Sequence, residues 1–202
     1  MLQDWINSHY LKETTIKQLQ KEFKKNKPFP RLELTNFFRE ERVILLIKAL
    51  MKENFFLKDS DLFTFLQTND FKGTKNKTLK NFNFFLSSKD FIQYFSNLTG
   101  TKLNQSIDMF GTVYANTHYL LPHDDRLESR KIAYLFYLSN LTKKDGGKLL
   151  LYDSHPEKVI KKIVPQFNTF AFFKVSKKSF HEVEEVTGEN QRITITGWFH
   201  GN

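Results

Sequence analysis

The sequence predicts an α+β fold in which helices from the first half pack on a compact antiparallel β sandwich or barrel formed by the second half. Three observations lead there. In the first hundred or so residues, apolar side chains recur at helical spacing. From about Ser106 the texture changes to short runs rich in aromatic and β-branched residues, punctuated by Gly, Asn, Asp or Pro. The chain of 202 residues, with 40% hydrophobic residues and 22 phenylalanines, is long enough for one sizeable core and short for two. Residues 1–202 are therefore expected to form a single domain, with 1–105 as mainly helical support and 106–202 as the barrel core.

Taken in order, Leu2, Trp5, Ile6, Leu19 and Phe23 mark N-terminal helical segments that Pro28 and Pro30 stop. "RLELTNFF" reads as a short strand. "REERVILLIKALMKEN" is the best-defined helix, with acidic residues at its start, lysines toward its end, and Val43, Ile44, Ile47 and Leu50 as its apolar stripe. Residues 59–68, "DSDLFTFLQT", and 89–98, "KDFIQYFSNL", read as further short helices, with "KGTKNKTLKNFN" between them as a basic, glycine-bearing loop. The β half follows as "IDMFGTVYA", "THYLL", "KIAYLFYL", "KLLLY", "NTFAFFKV", "FHEVEEV" and "RITITGWF".

Composition narrows the function classes. Without cysteine there are no disulfides or thiolate sites, so a metal would have to sit on His, Asp or Glu. No apolar run approaches the roughly eighteen residues of a membrane span, and the N-terminus lacks the features of a secretory signal. A cytoplasmic protein with no membrane partner is expected. The net charge of +9 is concentrated in residues 1–105, which hold 18 basic and 11 acidic residues. Such a field attracts RNA, ribosomes or acidic surfaces; it also describes a solvated face rich in lysine, with 25 Lys against 6 Arg.

The chemistry-bearing residues begin in "PHDDR". If this segment is extended, His123 and Asp125 point the same way and Asp124 the other. His181 opens a late strand, and Arg192 opens the last one, where a guanidinium has little packing reason to be. Two imidazoles and one carboxylate are the facial triad of Fe(II) oxygenases, which leaves positions on the metal open for a co-substrate and O2. Arg192 suits the far carboxylate of 2-oxoglutarate, because its planar fork makes two parallel charge-assisted bonds. Thr194, two residues on, shares its face. Against His181 as third ligand stand His9 in a helix, His118 in a strand or turn, His155 in a loop, and His200 at the opposite end of the last strand.

The stretches "DLFTFLQTNDF", "YANTHYLLPHDDRLESRKIAYLFYLSNL", "DGGKLLLY", "FAFFKVSKKSFHEVEEV" and "RITITGWFHG" together resemble the ribosomal prolyl hydroxylases, over roughly residues 30–202. That resemblance implies a double-stranded β-helix, or jelly-roll, barrel. It also implies Fe(II), the co-substrates 2-oxoglutarate and O2, with ascorbate as a candidate reductant, and a proline of a small-subunit ribosomal protein as substrate. It places iron on His123, Asp125 and His181 and 2-oxoglutarate on Arg192, and it adds Tyr114 and Tyr137 as co-substrate contacts. The match is to that family's catalytic domain. Eukaryotic members carry a second barrel beyond the segment matching "GWFHG", and Arg126 stands where they usually have an acidic residue. No general base is required, so none is assigned to Asp124 or Glu182. Two other readings compete. One keeps the oxygenase chemistry on a nucleic-acid or small-molecule substrate, with Phe82, Phe84 and Phe85 beside Lys75, Lys77 and Lys80 as a stacking platform. The other is a non-catalytic jelly roll that binds RNA or protein.

Overall fold

A computed structural model describes residues 1–127, 129–153 and 156–201, so His155 lies outside the described residues. The chain runs through α1 (Leu2–Trp5), a 3-10 turn (Ser8–Leu11), α2 (Glu13–Lys25), β1 (Arg31–Thr35) and α3 (Glu40–Leu50). A hairpin of β2 (Phe56–Ser60) and β3 (Phe63–Gln67) follows, then a 3-10 turn (Phe71–Gly73), α4 (Lys77–Ser87) and α5 (Lys89–Thr99). The remainder is β4 (Ile107–Tyr114), β5 (Tyr119–His123), β6 (Arg130–Tyr137), β7 (Leu149–Tyr152), β8 (Val159–Ile163), β9 (Thr169–Lys174), β10 (His181–Val183) and β11 (Arg192–His200).

The strands form one antiparallel sheet curled on itself. Its two walls have the orders β1-β9-β6-β11-β4 and β5-β10-β7-β8. β3 joins them: Leu66 and Gln67 pair with β4, while Phe63 and Thr64 pair with β5. This curled sheet with helices on one face is the expected jelly roll.

Alternation of side chains along each strand separates two environments. In β11, Ile195 and Phe199 join the helix-covered core, whereas Arg192, Thr194, Thr196 and Trp198 line the barrel cavity. In β6, Ile132 and Phe136 face the helices, while Ala133, Leu135 and Tyr137 face inward. β9 divides the same way, with Phe170 and Phe172 outward and Ala171 and Phe173 inward. The helices supply matching apolar faces. Asn76 caps α4 by accepting from the Thr78 and Leu79 amides, and Ser88 caps α5 by accepting from Phe91.

Three expectations need correction, and one strand went unread. Residues 59–68 form the β2–β3 hairpin, not a helix. Phe63 and Leu66 mimic helical spacing, but Phe63, Phe65 and Gln67 also alternate, and pairing to both β4 and β5 selects the strand. The "loop" beginning at Lys72 becomes α4 from Lys77, because Leu79, Phe82, Phe85 and Leu86 form a buried helical stripe beneath the lysines. In α3 the inward stripe is Val43, Leu46, Ala49 and Leu50, leaving Ile44 exposed. Its docking is fixed where Leu50 meets Gly111: a Cβ there would lie 2.3 Å from Leu50 Cδ1. β8, "VIKKI", went unread because two lysines interrupt its apolar pattern.

Phe170 sits at the middle of the helix–sheet core. Its ring centroid lies 5.2–5.9 Å from those of Phe37, Phe38, Tyr134, Phe172 and Phe95. Phe170→Ala should therefore destabilise the fold by about 3–5 kcal/mol. Urea unfolding followed by circular dichroism would measure this, and a loss under about 1 kcal/mol would show that the aromatic layer can collapse into the space.

Candidate active site

Strand register builds the site. His123, the last residue of β5, is the direct partner of His181, the first of β10. Arg192 pairs with Tyr114 across β11 and β4, and Thr194 lies between Thr112 of β4 and Tyr137 of β6. All of these except Tyr137 line one cavity of about 180 Å³. Tyr137 sits behind Arg192, fully buried.

At one end of the cavity, Asp125 stands between two imidazoles. Its Oδ1 is 3.4 Å from His123 Nε2, and its Oδ2 is 3.4 Å from His181 Nε2. Among the described residues, this is the group of His, Asp and Glu side chains whose ligand atoms could converge on a metal, all within 4.8 Å of one another. Asp125 does not reach this position as an extended residue. Its φ is 62°, so the chain leaves β5 through a left-handed turn that swings the carboxylate back beside His123. His123 and Asp125 do lie side by side, as alternation suggested, but through a left-handed turn and not an extended strand. Asp124 turns away and accepts from the Arg126 backbone amide at 3.1 Å and from its Nε at 2.6 Å.

The tautomers follow from the neighbouring carbonyls, which can only accept. His123 Nδ1 lies 2.8 Å from Leu121 O, and His181 Nδ1 lies 2.7 Å from Ser179 O. Both Nδ1 atoms must carry the proton, so in the neutral rings both Nε2 lone pairs face Asp125. Burial alone would raise the Asp125 carboxyl; when the rings are protonated instead, the charge of His181 and the Nε2–H bonds of both imidazoles hold it far below the usual carboxylate range. Burial opposes protonation of His123, yet the bond and charge of Asp125 more than offset it and raise its pKa. Two neutral nitrogen donors and one ionised carboxylate, converging from three points, fit a divalent cation such as Fe(II).

The other end is cationic. Arg192 is 1% exposed, and its Nε and Nη2 are buried without a hydrogen-bond partner. Its guanidinium carbon is 5.0 Å from the Tyr114 ring centre and 5.2 Å from that of Tyr137. A buried guanidinium with unmatched donors is costly unless an anion completes it. The Tyr137 hydroxyl is likewise buried with no well-formed hydrogen bond, although it lies close enough to Arg192 for an interaction that lowers its pKa. Burial pushes the hydroxyls of Tyr114 and Tyr137 up against the opposing charge of Arg192, so both stay protonated and can donate. The Thr194 hydroxyl is 2.5 Å from that of Thr112. A dicarboxylate with one end on the cation and the other on Arg192 fits these donors.

Several wall residues escaped sequence reasoning. Phe65 stacks on Tyr114 at 5.0 Å, and it comes from the hairpin misread as a helix. Thr112 and Phe110 share Tyr114's face of β4, and Trp198 shares that of Arg192, so the two-residue period could have found them. Arg130 places its guanidinium carbon 3.4 Å from the Trp198 ring centre, and Trp198 Nε1 is buried without a partner. Among the described residues, the rival histidines lie apart from the cluster. His9 is in the first 3-10 turn, His118 is in the turn before β5, and His200 bonds Asp108 at 3.0 Å and Ser129 at 2.8 Å. Phe82 and Phe85 are core residues, so they form no stacking platform.

Residues 109–200 match the family model described as the 2OG-Fe(II) oxygenase superfamily. The chain is 37% identical over 181 residues to prolyl 3-hydroxylase OGFOD1 of Xenopus laevis, covering 86% of this chain and 35% of the relative. It is 35% identical over 171 residues to prolyl 3-hydroxylase sudestada1 of Drosophila melanogaster, covering 78% of this chain and 32% of that protein. The chain thus spans about a third of the length of these curated relatives. In fold it is similar to a prolyl-4-hydroxylase of Pseudomonas putida, with a TM-score of 0.74 at 15% identity, covering 91% of this chain and 99% of that one. A prolyl hydroxylase of Trichoplax adhaerens, solved with a hypoxia-inducible-factor peptide, gives a TM-score of 0.72 at 16% identity, covering 94% and 93%. The chain thus pairs a jelly roll matching the 2OG-Fe(II) oxygenase superfamily over residues 109–200 with similarity, over most of its length, to curated prolyl 3-hydroxylases.

Proposed function

We propose that this chain is a 2-oxoglutarate- and Fe(II)-dependent prolyl hydroxylase whose substrate is a proline of a small-subunit ribosomal protein. The observation that carries the oxygenase reading is the single cavity with His123, Asp125 and His181 at one end and the unmatched guanidinium of Arg192 at the other. The prolyl specificity rests on the named relatives and on the ordered motifs. The non-catalytic alternative is disfavoured because all four of these side chains are in place.

In this reading His123, Asp125 and His181 hold the iron, and Arg192 holds the far carboxylate of 2-oxoglutarate. Bound Fe(II), 2-oxoglutarate and O2 together supply the oxidising chemistry that places a hydroxyl on a substrate carbon and releases succinate and CO2. The protein's own task is geometric. Leu121 O and Ser179 O fix both imidazole planes. Tyr114 and Tyr137 flank Arg192 and keep water from its charge, with their hydroxyls and that of Thr194 as further donors. Trp198 and Arg130 also line the cavity, and the unpartnered Trp198 Nε1 is a donor available to a peptide carbonyl. Among the described residues no helix is long and apolar enough to cross a membrane, and we place the enzyme in the cytoplasm.

The reading is tested by succinate release from purified protein with Fe(II), ascorbate and 2-oxoglutarate, with and without peptides spanning prolines of small-subunit ribosomal proteins. Peptide-dependent succinate with a mass gain of one oxygen atom on proline is expected. Succinate that no such peptide stimulates would refute the ribosomal substrate and leave the oxygenase standing. His181→Ala should lose Fe(II) binding in anaerobic titration and bring turnover to background, and full retained activity would dismantle the triad. Arg192→Lys keeps the charge but loses the fork, so KM for 2-oxoglutarate should rise about 10- to 100-fold, with iron binding intact. Trp198→Phe should lower kcat/KM for the peptide about 2- to 10-fold while peptide-free succinate formation holds, and an equal fall in both would reduce Trp198 to packing.

A further inference from the structure

We propose that the outer face of α3 and α4 binds single-stranded RNA, with a track of lysines on the phosphates and Phe84 stacking on a base. This site is separate from the cavity and stands independently of the hydroxylase reading. Lys77, Lys80 and Phe84 follow one another at i, i+3 and i+7 on one side of α4, all exposed. Phe84 is 65% exposed, the most exposed phenylalanine among the described residues, while its neighbours Phe82 and Phe85 are buried.

The α3 side continues the track. Asn76 Nδ2 donates to Ala49 O at 3.3 Å, which ties the start of α4 to the end of α3. That junction gathers exposed Lys48 and Lys52 with exposed Lys75 and Lys77. The lysines with ion pairs among the described residues are others: Lys17, Lys72, Lys148 and Lys161. Nearby carboxylates are engaged internally. Glu53 accepts from the Thr74 hydroxyl at 3.3 Å, and Asp70 accepts from the Lys72 and Met109 amides at 2.7 and 3.1 Å. Those bonds come from neutral donors, so Glu53 and Asp70 keep their charge, and the five lysines outnumber them on this face. A lysine is a hydrated point charge on a flexible stem, which suits following a phosphate chain better than making fixed bidentate pairs with protein carboxylates. An aromatic face accepts any base.

Placement favours simultaneous use. α3 and α4 cover the sheet's outer face through Leu50 against Gly111 and Phe82 against Phe136, while the cavity opens on the inner face. RNA held on the helices would leave the cavity free for a polypeptide.

The test is fluorescence anisotropy with a labelled oligouridylate of about twelve nucleotides, within the usual single-strand site size. Lys75→Gln/Lys77→Gln/Lys80→Gln should reduce the slope of log affinity against log salt by about 2, because three fewer cations displace counterions from the phosphates. Phe84→Ala should weaken binding at least about fivefold with the slope unchanged. All four side chains are exposed, so the variants should keep the native circular dichroism spectrum and their succinate formation. Absence of binding at low salt, or binding indifferent to both changes, overturns the proposal. So does preferential capture of an acidic peptide over the oligonucleotide, which would make this a protein-docking face.

Discussion

The register of β11 between β4 and β6 is the constraint on which the rest depends. In one strand, odd-numbered Ile195 and Phe199 complete the helix-covered core, and even-numbered Arg192, Thr194, Thr196 and Trp198 face the cavity. A slip of one residue would bury a guanidinium among phenylalanines and expose isoleucine to the site. The aromatic layer against α4 and α5 therefore does more than stabilise: it forbids every register but one. The same pairing sets Tyr114 and Thr112 opposite their partners. Core and site are two faces of one alternation.

Within that frame the polar groups are unequal. Leu121 O and Ser179 O hold both imidazoles through Nδ1, so the protein itself orients the rings toward Asp125, and a cation would satisfy the Nε2 lone pairs and the carboxylate together. The arginine end is left unsatisfied. Arg192 Nε and Nη2 and the Tyr137 hydroxyl are buried without well-formed hydrogen bonds. Such groups cost stability when unmatched and gain most from an anion that matches them, so binding of such an anion would stabilise the sheet. The turn at Gly146 and Gly147, with φ of 68° and 65°, carries the chain against Arg192, where a Cβ on Gly147 would lie 3.6 Å from Arg192 Cδ.

Much of the candidate site was legible because its side chains have few packing explanations: a polar "HDD" between strands, a histidine opening another, an arginine heading an apolar run. The β half was legible through its two-residue period. What misled was local ambiguity. "DLFTFLQT" carries both periods, and only its pairing with β4 and β5 decides between them. "KNKTLKNFNFF" hides a helix because its exposed lysines outweigh its buried stripe in any average. Phe65 and Arg130 reach the cavity from segments whose tertiary position no local pattern encodes.

The left-handed backbone at Asp125 bears on which acid can occupy that position. Among non-glycine residues, aspartate and asparagine enter this region most readily, because a short polar side chain can bond to its own backbone. Glutamate has no such compensation and a longer reach. The choice of the shorter carboxylate is therefore made twice, once by distance to the imidazoles and once by the torsion of the chain. A protein that evolves a different acid here would have to rebuild the turn as well as the side chain.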